Sequence, residues 1–232
     1  MQNKNKVIRL IATIAVIAAV GLAAYQTKEQ EENMIQFINP DEVVTSNWAD
    51  KPIQTNPNAG FTPIDVPEFT LASSKGGELT KNDLKGTYSV IYFGFANCPD
   101  VCLHAMDGVT VAYDGLTEEE QQKVKVYFFS FDLERDTPEF LKNHLSAFND
   151  AFIGAAGTGE YKLSMVKVLS EFDIISDKVN KAKGGFSFAH SNYTYLLDKE
   201  ARFLSQYNYK TVTETPEKLT NDLRLLMTKQ GS

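Results

Sequence analysis

Cysteine is scarce in this chain: its 232 residues include only two cysteines, Cys98 and Cys102, together with three histidines. A structural zinc site normally takes four protein ligands. Cysteine alone therefore cannot supply such a site here, and further ligands would have to come from a carboxylate, a water molecule or histidine.

Positive charge is also in deficit. Lysine and arginine number 23 against 30 aspartates and glutamates, which gives a formal net charge of −7. Binding to phosphate backbones requires an excess of basic residues on one face. The composition thus argues against a nucleic-acid partner. The chain also lacks internal repeats and low-complexity tracts, and its length suits one domain with accessory segments.

The N-terminus has the charge pattern of a membrane-directed segment. Lys4, Lys6 and Arg9 precede a charge-free, mostly apolar run from Leu10 to Tyr25. With the apolar residues before Arg9, this run approaches the ~20 residues that span a bilayer. We predict that residues 1–25 are an anchor or signal segment, with retention as an anchor favoured. The globular part then lies on the extracytoplasmic side of the cytoplasmic membrane.

The rest of the chain divides by composition. Residues 26–60 are polar and interrupted by prolines, which predicts a tether. Residues 61–232 are predicted to fold as one domain. Within it, "TYSVIYFGFA" (87–96) and "KVKVYFFSFD" (123–132) predict buried central strands, and helical segments follow each of them. This alternation predicts an α/β fold, with a central mixed sheet flanked by helices in a thioredoxin-like arrangement.

The two cysteines lie where the first central strand gives way to a helix. Backbone N–H groups and the helix dipole at that point favour a thiolate at Cys98. If Cys102 lies one turn further on, both sulfurs share one face and could hold a soft metal ion or close a disulfide. A purely stabilising disulfide is the weaker alternative, because a ring of about five residues contributes ~2 kcal/mol against ~3 for about fifteen.

Of the three histidines, His190 is the best candidate for the cysteine site. His104 is two residues from Cys102 and should point away from the cysteine face, and His144 is predicted on a solvated helix face. His190 lies between a glycine-bearing loop and an apolar strand. In a thioredoxin-like arrangement that junction faces the turn that carries the cysteines. A single histidine is more often structural than a ligand, so both roles stay open at this point.

Several segments resemble the SCO/SenC copper-chaperone family. They are "FGFANCPDVCLHAM", "FDLERDTPEFLKNHLSAF" and "FAHSNYTYLLDKEARFL", and the similarity runs from about Pro67 to Leu204. The resemblance implies a thioredoxin-like fold and a copper ion held by Cys98, Cys102 and His190. It also implies a role in assembling the copper centre of cytochrome c oxidase, with the copper-accepting subunit or its assembly factors as partners.

The sequence departs from the family pattern beside the expected site. The family usually has proline after the second cysteine, where this chain has Leu103, and commonly has aspartate before the metal histidine, where it has Ala189. The family's "DPERD" pattern appears as "DLERD". None of these changes removes an expected ligand, but they bear on which partner the surface accepts.

An alternative function uses the same two cysteines for electron exchange. An extracytoplasmic thiol-disulfide oxidoreductase or thiol peroxidase would employ Cys98 and Cys102 as a redox-active dithiol. Thioredoxin enzymes typically have a CxxC motif and a cis-proline opposite it. This chain has CxxxC and no proline between positions 139 and 215, and the pair Ala189–His190 stands where that proline is expected. The pattern therefore favours a metal ligand at this position.

Overall fold

The computed structural model of the chain describes residues 66–180 and 185–229. The strands in this part are β1 (Thr70–Ser73), β2 (Glu78–Thr80), β3 (Tyr88–Gly94), β4 (Val124–Ser130), β5 (Ile153–Ala156), β6 (Ser176–Asn180), β7 (Phe186–His190), β8 (Tyr193–Leu197) and β9 (Phe203–Asn208). The α-helices are α1 (Val101–Asp114), α2 (Glu118–Gln121), α3 (Pro138–Leu145), α4 (Lys162–Glu171), α5 (Tyr209–Glu214) and α6 (Glu217–Lys229). Short 3₁₀ turns span Lys81–Leu84 and Gly159–Tyr161.

Seven of these strands form one mixed sheet in the order β2-β1-β5-β4-β3-β8-β9. Strands β3, β4 and β5 are parallel to one another, and the remaining pairs are antiparallel. Every residue of β3 is buried. An almost continuous apolar run is typical of a strand covered on both faces, so the sequence of β3 explains its central place.

The parallel pairing of β3 and β4 determines where the functional loops emerge. Gly94 at the end of β3 is in register with Ser130 at the end of β4. The backbone N–H of Phe131 donates to the carbonyl of Gly94 across 3.1 Å. The loop that carries Cys98 and the loop that follows β4 therefore leave the sheet side by side.

Helix α1, which carries Cys102, is held firmly against the C-terminal helices. A Cβ atom at Gly108 would lie 2.2 Å from the carbonyl oxygen of Val212, so only glycine allows α5 to approach this closely. The hydroxyl of Thr220 in α6 donates to the carbonyl of Ala112 across 2.8 Å. These contacts give the cysteine-bearing helix a fixed position relative to the sheet.

The predicted fold class, a central mixed sheet flanked by helices, is confirmed. Both predicted central strands are present, as is the helix expected after the second of them, which begins at Pro138 with Thr137 as its N-cap. Strand β5 and the hairpin of β6 and β7, which forms a separate two-stranded sheet, were not predicted. Strand β6 is largely polar and exposed, so it lacks the apolar pattern that marks a strand. His190, expected between a loop and an apolar strand, is therefore the last residue of a strand, β7.

The predicted anchor (1–25) and tether (26–60) lie outside the described residues. Among residues 66–180 and 185–229, the helices do not reach the combination of length and apolar character that a bilayer span requires.

Candidate metal centre

Cys98 lies in the tight turn between β3 and α1. Its backbone N–H donates to the carbonyl of Phe95 across 3.1 Å, and α1 begins three residues later at Val101. Its sulfur faces the first turn of this helix and accepts the backbone N–H of Cys102 at 3.5 Å. Both thiols are free and buried, with 6% of Cys98 and 1% of Cys102 exposed.

His190 is oriented by its own chain. Its Nδ1 lies 2.7 Å from the carbonyl oxygen of Ser191. A carbonyl oxygen only accepts hydrogen bonds, so Nδ1 carries a proton and donates it. The ring is thereby turned so that Nε2 lies 3.5 Å from the sulfur of Cys102. A hydrogen bond from the distal ring nitrogen is the usual way in which proteins orient a metal-binding histidine.

The three side chains converge. One ligand atom from each of Cys98, Cys102 and His190 lies within 4.8 Å of the other two, and no other group of three or more histidine, cysteine or acidic side chains in the described part is placed to hold a metal. The two cysteines share one face of the strand-to-helix turn, as their spacing predicts. The imidazole completes the group from a strand 88 residues away in sequence.

The two thiols differ in acidity. The pKa of Cys98 is lowered to about 4, mainly by a hydrogen bond from the thiol of Cys102. Hydrogen bonds from His190 and from the backbone N–H groups at the start of α1 add to this shift, and burial opposes it. The Cys98 thiolate in turn raises the pKa of Cys102 above its usual range, and burial adds to this effect. Cys98 is therefore the more readily ionised of the two thiols, and Cys102 holds its proton more tightly.

Aromatic side chains form one wall of the site. The ring centroid of His190 lies 5.0 Å from that of Phe131 and 5.9 Å from that of Phe95. The buried Tyr92, near the Cys102 sulfur, donates its hydroxyl proton to the amide oxygen of Asn192 across 2.9 Å. Burial, together with the nearby Cys102 sulfur, raises the pKa of Tyr92. These contacts keep the site in a mostly apolar environment and tie β3 to the segment after His190.

Asp136 supports the loop that carries Cys98, a role that the sequence pattern did not predict. Its buried carboxylate accepts the backbone N–H of Ala96 at 2.7 Å and the hydroxyl of Ser130 at 2.6 Å. The amide nitrogen of Asn97 lies 3.4 Å from the same carboxylate. Burial raises the pKa of Asp136 despite these hydrogen bonds. No sequence signal marked this role, because Ala96 and Asn97 belong to the loop after β3, 40 and 39 residues earlier in the chain.

The structure places the other two histidines away from the site. His104 is exposed on α1 and pairs with Asp100 across 3.1 Å, so its predicted outward orientation is confirmed. The predicted solvated position of His144 is wrong. Its ring packs between Phe128 and Phe148, with centroids 5.7 and 5.4 Å away, and its Nε2 is buried without a hydrogen-bond partner among the described residues.

Helical spacing explains why His144 is buried. Leu141 and Leu145 are the buried residues of α3. His144 lies three positions after Leu141, which puts it on the same face of α3, and Phe148 packs against it from the turn that follows the helix. The sequence signal was therefore present in "LKNHLSAF", although histidine is a polar residue. Burial lowers the pKa of His144, partly offset by the negative charge of Cys98.

We expect replacement of His144 by phenylalanine to remove part of the acid sensitivity of the fold. A histidine whose folded pKa is lowered binds protons more readily when unfolded, so stability falls as the pH drops through the unfolded value of about 6.5. Urea unfolding at pH 7.5 and pH 5 should show a smaller loss for His144→Phe than for the wild type. The exposed His104→Gln variant is the control, and an equal loss in all three proteins would contradict the prediction. Copper binding should be unchanged in both variants.

The comparisons with known proteins agree on one family. A family model named SCO1/SenC matches residues 59–228. Protein SCO2, mitochondrial, of Saccharomyces cerevisiae is 35% identical over 136 residues, which is 59% of this chain and 45% of that protein. The chain thus matches less than half the length of this relative.

Solved structures of Sco proteins are also similar to this chain. The structure of Bradyrhizobium japonicum ScoI with copper bound is 33% identical, has a TM-score of 0.59, and covers 70% of this chain and 99% of its own. The structure of BsSco, described as a member of the Sco family of cytochrome c oxidase assembly proteins, covers 72% of this chain and 95% of its own, with a TM-score of 0.55. At 24% identity this second structure supports the fold alone.

Proposed function

This chain belongs to the SCO1/SenC family, and from that membership we propose that it is a copper chaperone that holds copper through Cys98, Cys102 and His190. The copper ion is cargo, delivered during assembly of the copper centre of cytochrome c oxidase. The proposed acceptor is the copper-accepting subunit of that enzyme or one of its assembly factors. The departures at Leu103 and Ala189 lie beside the site, where they would contact such an acceptor.

The observation that carries this proposal is the convergence of two sulfurs and one imidazole nitrogen within 4.8 Å of one another. Thiolate is a soft ligand and imidazole is a borderline one, a combination that suits copper. Structural zinc takes four protein ligands, and the described part of the chain offers three at this place. The copper-bound state of the ScoI relative supports the same metal.

The protonation states of the site fit metal capture. Cys98 is the more readily ionised thiol, so it is the one suited to form the first bond to an incoming ion. Cys102 must then release its proton, which the positive charge of the ion favours. His190 offers Nε2 because its Nδ1 is engaged by Ser191. A site with three protein ligands leaves room for a ligand of the acceptor during transfer.

A second candidate function is thiol-disulfide exchange by the same cysteines. The specific observation in its favour is the unequal acidity of Cys98 and Cys102, since a low-pKa thiolate is the attacking group in such reactions. His190 counts against it as the main function, because dithiol exchange does not require an imidazole nitrogen aimed at the second sulfur. The two activities are compatible, since copper capture needs both thiols reduced.

We further propose that residues 1–25 anchor the protein in the cytoplasmic membrane with its globular domain outside. The basic flank and apolar run at Leu10–Tyr25 support this proposal. Membrane fractionation and N-terminal sequencing of the mature protein should find the intact segment in the membrane fraction. A soluble mature protein that starts near Tyr25 would show that the segment is a cleaved signal.

Metal analysis tests the main proposal. The full-length chain, purified in detergent and reduced, should be offered copper and zinc together and then separated from free metal. We expect one copper per chain, little zinc, and protection of both thiols against titration. Retention of zinc with free access to the thiols, or no retained metal, would count against the copper function.

A further inference from the structure

The hairpin that carries His190 needs an external support. Strands β6 and β7 form a two-stranded sheet, and the described residues show no strand pairing between them and the main sheet. An isolated two-stranded hairpin is at best marginally stable in water. Beyond the link between Tyr92 and Asn192, which follows His190 in the chain, the position of this histidine relative to the cysteines therefore depends on side chains that dock the hairpin onto the domain.

One face of β7 makes these contacts. Phe186, Phe188 and His190 alternate along the strand and so point to the same side. The ring of Phe188 lies 5.1 Å from that of Phe95 and 5.2 Å from that of Phe131, measured between centroids. The middle and the end of the strand thus rest on the aromatic wall of the site.

The start of the same strand rests on Arg135. The guanidinium carbon of Arg135 lies 3.8 Å from the ring centroid of Phe186, and its Nη1 donates to the Phe186 carbonyl across 3.3 Å. Its Nε donates to the carboxylate of Asp132, which is fully buried. That carboxylate also accepts the backbone N–H groups of Glu134 and Arg135 at 3.3 and 3.1 Å. Arg135 is therefore fixed by its hydrogen bond to Asp132 and, at the same time, contacts the hairpin at Phe186.

The same short segment also holds the cysteine side of the site. Asp136, adjacent to Arg135, accepts the backbone N–H of Ala96, two residues before Cys98. Residues Asp132–Asp136, which we name the brace, thus contact both the loop that carries Cys98 and the hairpin that carries His190. A rigid connection between two ligand-bearing elements fixes the distance between their ligands.

We propose that the brace sets the cysteine-to-histidine geometry of the site and that Arg135 is the positioning residue for His190. This inference rests on the proposed copper function, because it concerns the affinity of that site. Arg135 acts through Phe186 and touches none of the three ligands. Lys178 also lies 3.8 Å from the Phe186 centroid, but it is exposed and pairs with the exposed Glu134. An exposed pair of this kind contributes little.

The test compares Arg135→Gln with Arg202→Gln in the full-length chain. Arg202 makes a matched ion pair with the buried Asp198 at the turn between β8 and β9, with its Nε 2.7 Å from the carboxylate. We expect Arg135→Gln to weaken copper binding at least about tenfold in chelator competition, whereas Arg202→Gln and Lys178→Gln bind as the wild type does. The spectrum of the copper-loaded Arg135→Gln protein should shift toward that of His190→Ala. Arg135→Lys should recover part of the affinity.

Three further measurements separate positioning from general loss of structure. Phe186→Ala leaves the Asp132–Arg135 pair in place, so we expect it to fold even if Arg135→Gln does not, and to weaken copper binding in the same direction. Combining Arg135→Gln with His190→Ala should add little to the loss caused by His190→Ala alone. Amide hydrogen exchange in β6 and β7 of the copper-free protein should be faster in Arg135→Gln and Phe186→Ala and unchanged in Arg202→Gln.

The outcomes distinguish this inference from the copper function. In one outcome, Arg135→Gln and Phe186→Ala match Arg202→Gln in copper affinity, in the spectrum of the bound metal and in the rate of hairpin hydrogen exchange. In that case the proposed role of the brace is wrong and the copper function stands. If the wild type itself fails to retain copper, the copper function is wrong. In that case faster hairpin exchange would still support the brace as a positioning device, and unchanged exchange would overturn it.

Discussion

Replacing either Cys98 or Cys102 by serine is expected to abolish tight copper binding. A hydroxyl is a poor ligand for a soft metal ion, and each substitution leaves one thiolate and one imidazole. We expect an affinity loss of at least about a hundredfold, or about 2.8 kcal/mol at 1.4 kcal/mol for each factor of ten. Copper competition titrations of the full-length variants against a chelator provide the measurement. Serine is close in size to cysteine, so the buried turn at Cys98 should keep its shape.

Asp100→Asn is the matched control for these variants. Asp100 lies between the cysteines but is exposed and pairs with His104, so its change should leave copper affinity within about threefold of the wild type. Thermal unfolding of the copper-free proteins checks that the fold survives. A serine variant that still binds copper as tightly as Asp100→Asn would show that its cysteine is not a ligand.

Replacing His190 by alanine is expected to weaken copper binding by at least about tenfold, or about 1.4 kcal/mol, and to change the spectrum of the bound metal. The physical reason is the loss of Nε2, which the hydrogen bond from Nδ1 to Ser191 turns toward the Cys102 sulfur. The two sulfurs remain, so the variant should keep a weaker two-thiolate site. The disulfide between Cys98 and Cys102 should still form.

His190→Ala also separates the two candidate functions. Copper affinity and the reduction potential of the cysteine pair, measured in a glutathione buffer, can be obtained from the same purified variant. His104→Ala is the control, because His104 is exposed on the outer face of α1 and should affect neither quantity. Unchanged copper affinity in His190→Ala, with a shifted reduction potential, would favour thiol-disulfide exchange over copper delivery.

Most of the fold could be predicted from local patterns. The runs at β3 and β4 are apolar almost throughout, and a strand of this composition is stable only where both of its faces are covered. The sequence of α3 carries its own start signal, with Thr137 as N-cap and Pro138 in the first turn. Strand β6 was missed because its polar residues show no period, and it exists through pairing with β7.

The cysteine half of the site could be predicted in the same way. Its two thiols are close in sequence, and the change from strand to helix places them at a helix N-terminus. The third group was indicated by its expected place in the fold, opposite the turn that carries the cysteines, and by family resemblance, because the residues next to His190 do not by themselves mark it as a ligand. The burial of His144 was available from helical spacing but conflicted with the usual exposure of a polar side chain.

The sequence by itself thus determined the central strands, the helices that follow them and the chemistry of the thiol pair, because each depends on residues within a few positions of one another. Only the tertiary structure decided which groups meet. The approach of His190 to Cys102 spans 88 residues and depends on the docking of a hairpin. The contacts of the brace likewise depend on the register of β3 against β4. Such placements follow from packing between distant segments, and no local pattern encodes the distance between them.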